Sequence, residues 1–441
     1  MSEMFISAFR GLLHLMTEAF PDPRPRRRVS ELAEALLAGS RPATITNALR
    51  HQHREQEQWG ASYKLFSYVK WLVRALFSPI AREAARMDGG GAGPVFSAQD
   101  DTLIRKTGRT IPGTAYARDP RSPKFHVNLV LGQRFVQTSV MVGGHHDDHP
   151  WRGIPVGFRH TPPVKAGRKA TDEEKAAVRE TRKKQNLSTA AAEEIAWLRE
   201  QIDMTPGGRD RLLINSVDGS YANKTYLTRI PDRTVAVARV RHNARLRAPL
   251  PLDQRRGNRK YGAELPTPGE LLADPTVEWK QVQVFVAGEL RTLKYKTIAP
   301  VCWPHVTHDK PLTLIVIKAA GYRLRKGSKL LYRQPAFLIA TTTQVDVATL
   351  IRAYLARWEI EVNFRDEKTV FGVGTAQVWN NKSVERVPAF HVAAYACLLL
   401  ASVKAFGDRR APGQLPPLPK WRNVEPLRPS AIELLNLLRA A

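Results

Sequence analysis

The sequence predicts an α/β protein built in several units, and three observations carry that expectation. Apolar residues recur at helical spacing through the first 85 residues, whereas short apolar and β-branched runs alternate with charged helical stretches from Val95 onward. A Gly-rich segment, Asp88 to Pro94, separates the two regimes. At 441 residues the chain exceeds one simple domain, so two to four units are expected.

The N-terminal helices are marked by Phe5, Ile6, Phe9, Leu12 and Leu13, and again by Leu65, Val69, Leu72, Val73 and Leu76. Pro-Arg clusters and Ser40-Arg41-Pro42 break them. The runs Phe125 to Leu131 and Phe135 to Val142 read as two strands of a hairpin turning at Gly132-Gln133-Arg134. Residues 171–203 are charged and helical, and Leu212 to Val217 form a buried strand that delivers Asp218 at its C-terminal end. Strand-like stretches at Val282 to Val286 and Leu312 to Ile317 suggest a β-rich insertion. Ala336 to Thr342 is a further strand, followed by one long helix from Val345 to Thr369, an apolar helix from Pro388 to Phe406, and a last helix at 430–440. The expected divisions are a helical module at 1–88, an α/β core in two parts at 95–250 and 336–406, the insertion at 251–335, and a tail at 407–441.

Charge narrows the function. The chain carries 68 Lys and Arg against 41 Asp and Glu, a formal net charge of +27, so a polyanion is the natural partner. The charge is dispersed, at Arg24 to Arg28, Lys165 to Lys184 and Arg255 to Lys260, which suits a long polymer touching several surfaces. No stretch reads as a bilayer span of the required ~20 apolar residues, and no membrane partner is expected. The two cysteines, Cys302 and Cys397, are far apart and suggest neither zinc nor a disulfide framework, which fits a reducing cytoplasmic setting.

The sharpest feature lies in the helix that contains Tyr354, Arg357, Glu361 and Lys368. At helical rotation these four share one face within about 60° of arc, beside an apolar stripe of Ile351, Leu355, Trp358 and Val362. An acid flanked by two cations and a phenol suits phosphate chemistry: the cations grip phosphates while the carboxylate holds a metal at the scissile one.

This Tyr-(2)-Arg-(3)-Glu-(6)-Lys spacing resembles the YREK signature of bacterial insertion-sequence transposases, in all four residues and all three gaps. The resemblance implies an RNase H-like mixed sheet with flanking helices, interrupted by the β-rich insertion, with residues 1–88 binding the element end. It also implies a DDE triad. Glu361 becomes its third acid, and Tyr354, Arg357 and Lys368 become contacts to DNA. Asp218, in Asp218-Gly219-Ser220-Tyr221, resembles the second acid. For the first, the family's Asp-Thr pair favours Asp101, before Thr102, over its neighbour Asp100. An aromatic that stacks on a flipped base falls to Phe337 or Trp303.

Three carboxylates suit two Mg²⁺ ions, for which Mn²⁺ could substitute, because hard cations take oxygen ligands. The expected partners are double-stranded DNA, as terminal inverted repeats and target, and a second copy in a homodimeric paired-end complex. The setting implied is the bacterial nucleoid, within the cytoplasm. A transposase-derived DNA-binding protein without activity and a stand-alone nuclease are the alternatives. The segment His145 to His149 has the composition of a metal site, but adjacent ligands in a Gly/Pro loop rarely converge on one ion.

Overall fold

The structure is a computed structural model that describes residues 2–441 apart from 40, 57–58, 88–92, 120–121, 124, 145–148, 168, 258–259, 287, 323–327, 411–412, 414, 416, 418–419 and 421–425. Most of the Gly-rich segment and of the His145 to His149 segment lies outside the described residues.

Five helices open the chain: α1 (Ser2–Met16), α2 (Arg26–Ala38), α3 (Ile45–His51), α4 (Gly60–Ser67) and α5 (Val73–Met87). The first sheet strands follow as β1 (Val95–Arg105), β2 (Ala115–Arg118), β3 (Leu129–Gly143) and β4 (Trp151–His160). After α6 (Asp172–Lys184) and α7 (Leu187–Asp203), the chain enters β5 (Leu213–Val217), a short α8 (Lys224–Leu227) and β6 (Thr234–Arg239). β1 pairs antiparallel with β3 and parallel with β5, β3 pairs antiparallel with β4, and β5 pairs parallel with β6. Three antiparallel strands joined to two parallel ones through a helical crossover make this core RNase H-like.

The expected hairpin at Gly132-Gln133-Arg134 is not there: these residues run straight through β3, one continuous strand of 15 residues. Gly132 serves close approach rather than a turn. A Cβ at that position would meet the Ile104 carbonyl oxygen of the neighbouring strand at 2.5 Å.

The next strands are β7 (Arg247–Pro249) and β8 (Tyr261–Glu264), then α9 (Pro268–Ala273), β9 (Lys280–Val286), β10 (Glu289–Trp303), β11 (His308–Ile317), the small β12 (Gly321–Tyr322) and β13 (Leu331–Tyr332), and β14 (Ala336–Ala340). β12 and β13 pair only with each other. β14 pairs with β6, β11 with β14 and β10 with β11, so the other strands of this region extend the main sheet to 12 strands.

Four helices close the chain: α10 (Val347–Ala356), α11 (Trp358–Thr369), α12 (Ser383–Phe406) and α13 (Ala431–Arg439). The single helix expected from Val345 to Thr369 is two, divided at Arg357. On one face of the sheet Phe96, Ala98, Ile214 and Leu338 pack against Leu350 and Ile351 of α10 and Ile360 and Phe364 of α11. Val217, Ala236 and Ile339 line the other face with Tyr221 and Tyr226.

α12 passes the length and hydropathy test for a membrane span, contrary to the expectation that no segment would, yet 89% of its most apolar window is buried. It is a core helix. α1, α2 and α5 pack around it, with Phe5 and Phe406 stacked at 5.7 Å between ring centroids. The N-terminal helices therefore share a core with the rest of the chain instead of standing as a separate module.

Candidate active site

The alternation of a strand decides which aspartate meets Glu361. Adjacent residues point to opposite faces, and Phe96 and Ala98 point toward α10 and α11. Asp100 continues that series, whereas Asp101 belongs with Ser97 and Gln99 on the other side. The contacts agree. Arg357 Nη1 donates to Asp100 Oδ2 at 2.8 Å, an ion pair with only 13% and 15% of the two side chains exposed. Asp101 instead accepts from Arg134 Nε at 2.6 Å and from the Tyr221 hydroxyl at 3.2 Å.

Burial, with smaller contributions from the charges of Asp101 and Glu361, pushes the Asp100 carboxyl up to about 7 against the pull of Arg357. Arg357 in turn lies within the fields of Asp100, Tyr354, Asp218 and Glu361. Its guanidinium is 5.8 Å from the centre of the Tyr354 ring. These interactions gather Asp100, Asp218, Tyr354, Arg357 and Glu361 around one centre, with Asp101 next to it on the opposite face of β1.

The sheet register sets the two aspartates level with each other. Gln99 pairs with Val217, the last pair of the two parallel strands, so Asp100, inside β1, and Asp218, just after β5, follow side by side. A buried polar network holds that register: Asn215 Nδ2 and the Tyr226 hydroxyl both donate to Gln99 Oε1, at 3.0 and 2.7 Å, and Gln99 Nε2 donates to Thr138 Oγ1 and to the Ala191 carbonyl. Each strand is thus tied to its neighbour immediately before the acids.

Glu361 is exposed in the first turn of α11. Its helix is anchored on β4, where Asn363 Nδ2 donates to the Gly153 carbonyl at 3.1 Å and Gly153 N–H donates to Glu359 Oε2. Arg428 Nη2 also donates to Glu359, at 2.6 Å, and Arg152 Nη2 donates to the Pro429 carbonyl, so the C-terminal segment braces the same helix. A Cβ at Gly153 would come within 3.0 Å of Glu359 Cβ, which explains the residue at this crossing.

The stripe expected at Ile351, Leu355, Trp358 and Val362 is only partly a packing face. Ile351 is buried, but Trp358 is 64% exposed, and Ile360 and Phe364 take the core positions. The division at Arg357 turns Leu355, Trp358 and Val362 toward a cleft of about 910 Å³, which Arg239, Arg291, Arg357 and Arg428 also line. Lys368 lies in the last turn of α11, with its Nζ 5.6 Å from the centre of the Phe364 ring. Phe337 and Trp303 pack against the core on the sheet face opposite α10 and α11. Alternation accounts for Phe337, since its neighbour Leu338 takes the α10–α11 side.

Sequence reasoning missed Arg134 and Tyr221 as the partners of Asp101, and also Glu367. Tyr221 closes the Asp218-Gly219-Ser220-Tyr221 motif, a signal that could have found it, whereas no motif marks Arg134 or Glu367. Glu367 lies on the buried side of α11, and burial pushes its carboxyl up to about 8. The folded protein therefore keeps a proton there that the unfolded chain loses above about pH 4.5. The sign follows: this site's stability is complete at acid pH and is lost as pH rises toward 8. Glu367→Gln is expected to match the wild type near pH 4.5 and to exceed it by up to about 4 kcal/mol at pH 8. Thermal melts of the two proteins across that range would test this, and parallel curves would refute it.

The donor set suits a divalent metal by type. Asp100, Asp218 and Glu361 offer only carboxylate oxygens, the ligands of hard cations. Among the described residues, though, no three potential ligands already converge as a metal cluster. Arg357 is the counter-charge to Asp100 in this arrangement.

An RNase H-like sheet that carries acids where the pairing of its central parallel strands ends defines a class of nucleic-acid phosphodiester enzymes. The chain matches the DDE superfamily endonuclease family over residues 16–310, two-thirds of its length, and belongs to that family. The matched span contains Asp100, Asp101 and Asp218 and ends before α10 and α11. No curated protein is similar enough to the chain to count as a match.

Proposed function

We propose that this endonuclease is a cut-and-paste transposase of a bacterial insertion sequence, acting at the nucleoid, with Asp100, Asp218 and Glu361 as its acids. The observation that carries the reading is the buried Asp100–Arg357 pair, which ties the middle of β1 to the start of the helix presenting Glu361 and lies in the field of Asp218. Asp100 takes the place that the Asp-Thr spacing assigned to Asp101. Asp101 becomes a positioning residue that fastens Arg134 and Tyr221 beside the Asp218 turn.

Two Mg²⁺ ions held by the three acids would supply an activated oxygen nucleophile and a stabilised leaving oxygen. The protein's part is placement. The Asn215 and Gln99 network holds the first two acids level, and the Gly153 crossing holds the third over them. Arg357 offsets the charge of Asp100 and can offer its planar fork to a phosphate of the DNA end, with Tyr354 beside it. Lys368 supports a more distant phosphate. Phe337 and Trp303 face away from this centre, so base stacking by either is not part of the reading. Paired DNA ends and a homodimer complete it.

Glu361→Gln is expected to abolish cleavage of DNA bearing the element's inverted repeats while binding to the same DNA stays within about twofold, because the amide keeps the shape and loses the charge that holds metal. Cleavage at the wild-type rate in Mg²⁺ would overturn the assignment. Nicking without end joining by the wild type would favour a stand-alone nuclease, and end binding without either activity would favour a DNA-binding derivative.

A further inference from the structure

One exposed surface near the acids is left without a role by this reading. β1 and β3 continue as an arm beyond the catalytic level: Asp101 pairs with Val136, and the pairing runs on through Arg105 and Gly132 to β2, where Arg118 pairs with Leu129. From Val136 to Leu129 the strand advances about 24 Å. Three apolar residues spaced by two stand near its end in solvent: Phe125 at 92% exposure, Val127 at 53% and Leu129 at 62%. Tyr116, on the paired strand, is 53% exposed. A two-stranded arm gains little stability of its own, and an apolar row on such an arm marks a contact surface. Its charge selects the occupant. From Arg105 to Arg134 the sequence carries seven Lys or Arg and a single acid, Asp119. Lys106 is buried on the Gly374 and Ala376 carbonyls and Arg134 is held by Asp101, but Arg105, Arg109 and Arg118 are exposed. This excess repels a second copy of the basic chain and attracts a polyanion.

We propose that this arm is a DNA wedge: its basic residues hold the backbone of a duplex seated at the acids, and Phe125, with Val127 and Leu129 behind it, inserts from the minor groove and kinks the DNA. At 3.4 Å per base pair, the arm meets the duplex about seven base pairs from the phosphate at the acids. The inference rests on DNA being the substrate, which the test checks separately.

The test uses the full chain without divalent metal and a 30-base-pair duplex with a donor and an acceptor dye at its ends. Wild-type protein is expected to raise energy transfer by bending the duplex. The Phe125→Ala/Val127→Ser/Leu129→Ser variant should keep the wild-type circular dichroism, lose that rise, and bind about tenfold more weakly with an unchanged salt dependence, since apolar side chains release no counterions. Arg118→Ala should instead lower the salt slope by about one phosphate contact. Equal bending by wild type and the triple variant would overturn the wedge. So would a triple variant that bends DNA normally but changes the sedimentation of the free protein, because the apolar row would then be a contact between copies. Failure of the wild type to bind the duplex at low salt would overturn the DNA reading itself.

Discussion

Asp100→Asn is expected to reduce cleavage on the order of 10³-fold, whereas Asp101→Asn should leave a readily measured rate. The two residues are adjacent and carry the same group, so only their placement separates them. Asp100 shares a sheet face with the cluster that packs on α10 and α11, lies in the field of Glu361, and is held in a buried ion pair with Arg357. Asp101 spends both oxygens on Arg134 and Tyr221. Its amide would keep one oxygen to accept from one of these partners, so the loss should fall on the order of the Asp218 turn. Single-turnover cleavage by the two variants, with binding measured in parallel, decides the point. Inactive Asp101→Asn beside active Asp100→Asn would reverse the assignment.

Arg357→Ala should produce the largest loss of stability of any single change at the site. It strands Asp100 as a carboxyl with 15% of its side chain exposed and no counter-charge, and removing one partner of such a buried pair costs about 3–5 kcal/mol. The double variant Asp100→Asn/Arg357→Ala should recover much of this, because the amide needs no cation. Arg357→Lys should recover less, since a lysine cannot reproduce the fork that reaches Asp100 while resting near the Tyr354 ring. Denaturation midpoints for the wild type, Asp100→Asn, Arg357→Ala and the double variant form a double-mutant cycle. Additive losses would mean that the pair contributes nothing to holding α11 against the sheet.

Much of this site could be read before the fold was known. Asp218 stands out because an apolar run ends on it, and Tyr354, Arg357 and Glu361 remain near one another although the helix expected to carry all of them is divided at Arg357. Asp100 and Asp101 could not be separated that way. Parity is defined only once the strand's neighbours are known, and Asp101 looks the better choice by its position next to Thr102. The hairpin expected at Gly132 failed for a related reason: Gly-Gln-Arg has turn chemistry, but the crowding at Ile104 that requires the glycine comes from another strand. Trp358 misled differently. It completes an apolar stripe in a straight helix, and the division at Arg357, which has no marker such as proline or glycine, turns it into the cleft.

The contact between Phe5 and Phe406 has a consequence for biosynthesis. The ribosome makes α1 to α5 long before α12, and at about 5–20 residues per second the interval is roughly 15 to 60 s. Throughout that time Phe5, Phe9, Leu12 and Phe77 lack the helix they are to cover. Closure joins α1 to α12 and cannot begin until α12 has left the ribosome. Contacts of such long sequence separation also form slowly. The nascent protein therefore waits with an apolar surface open, and α12 emerges with the hydropathy of a membrane segment. Its yield in a cell should depend on holding chaperones more than its folded stability would suggest.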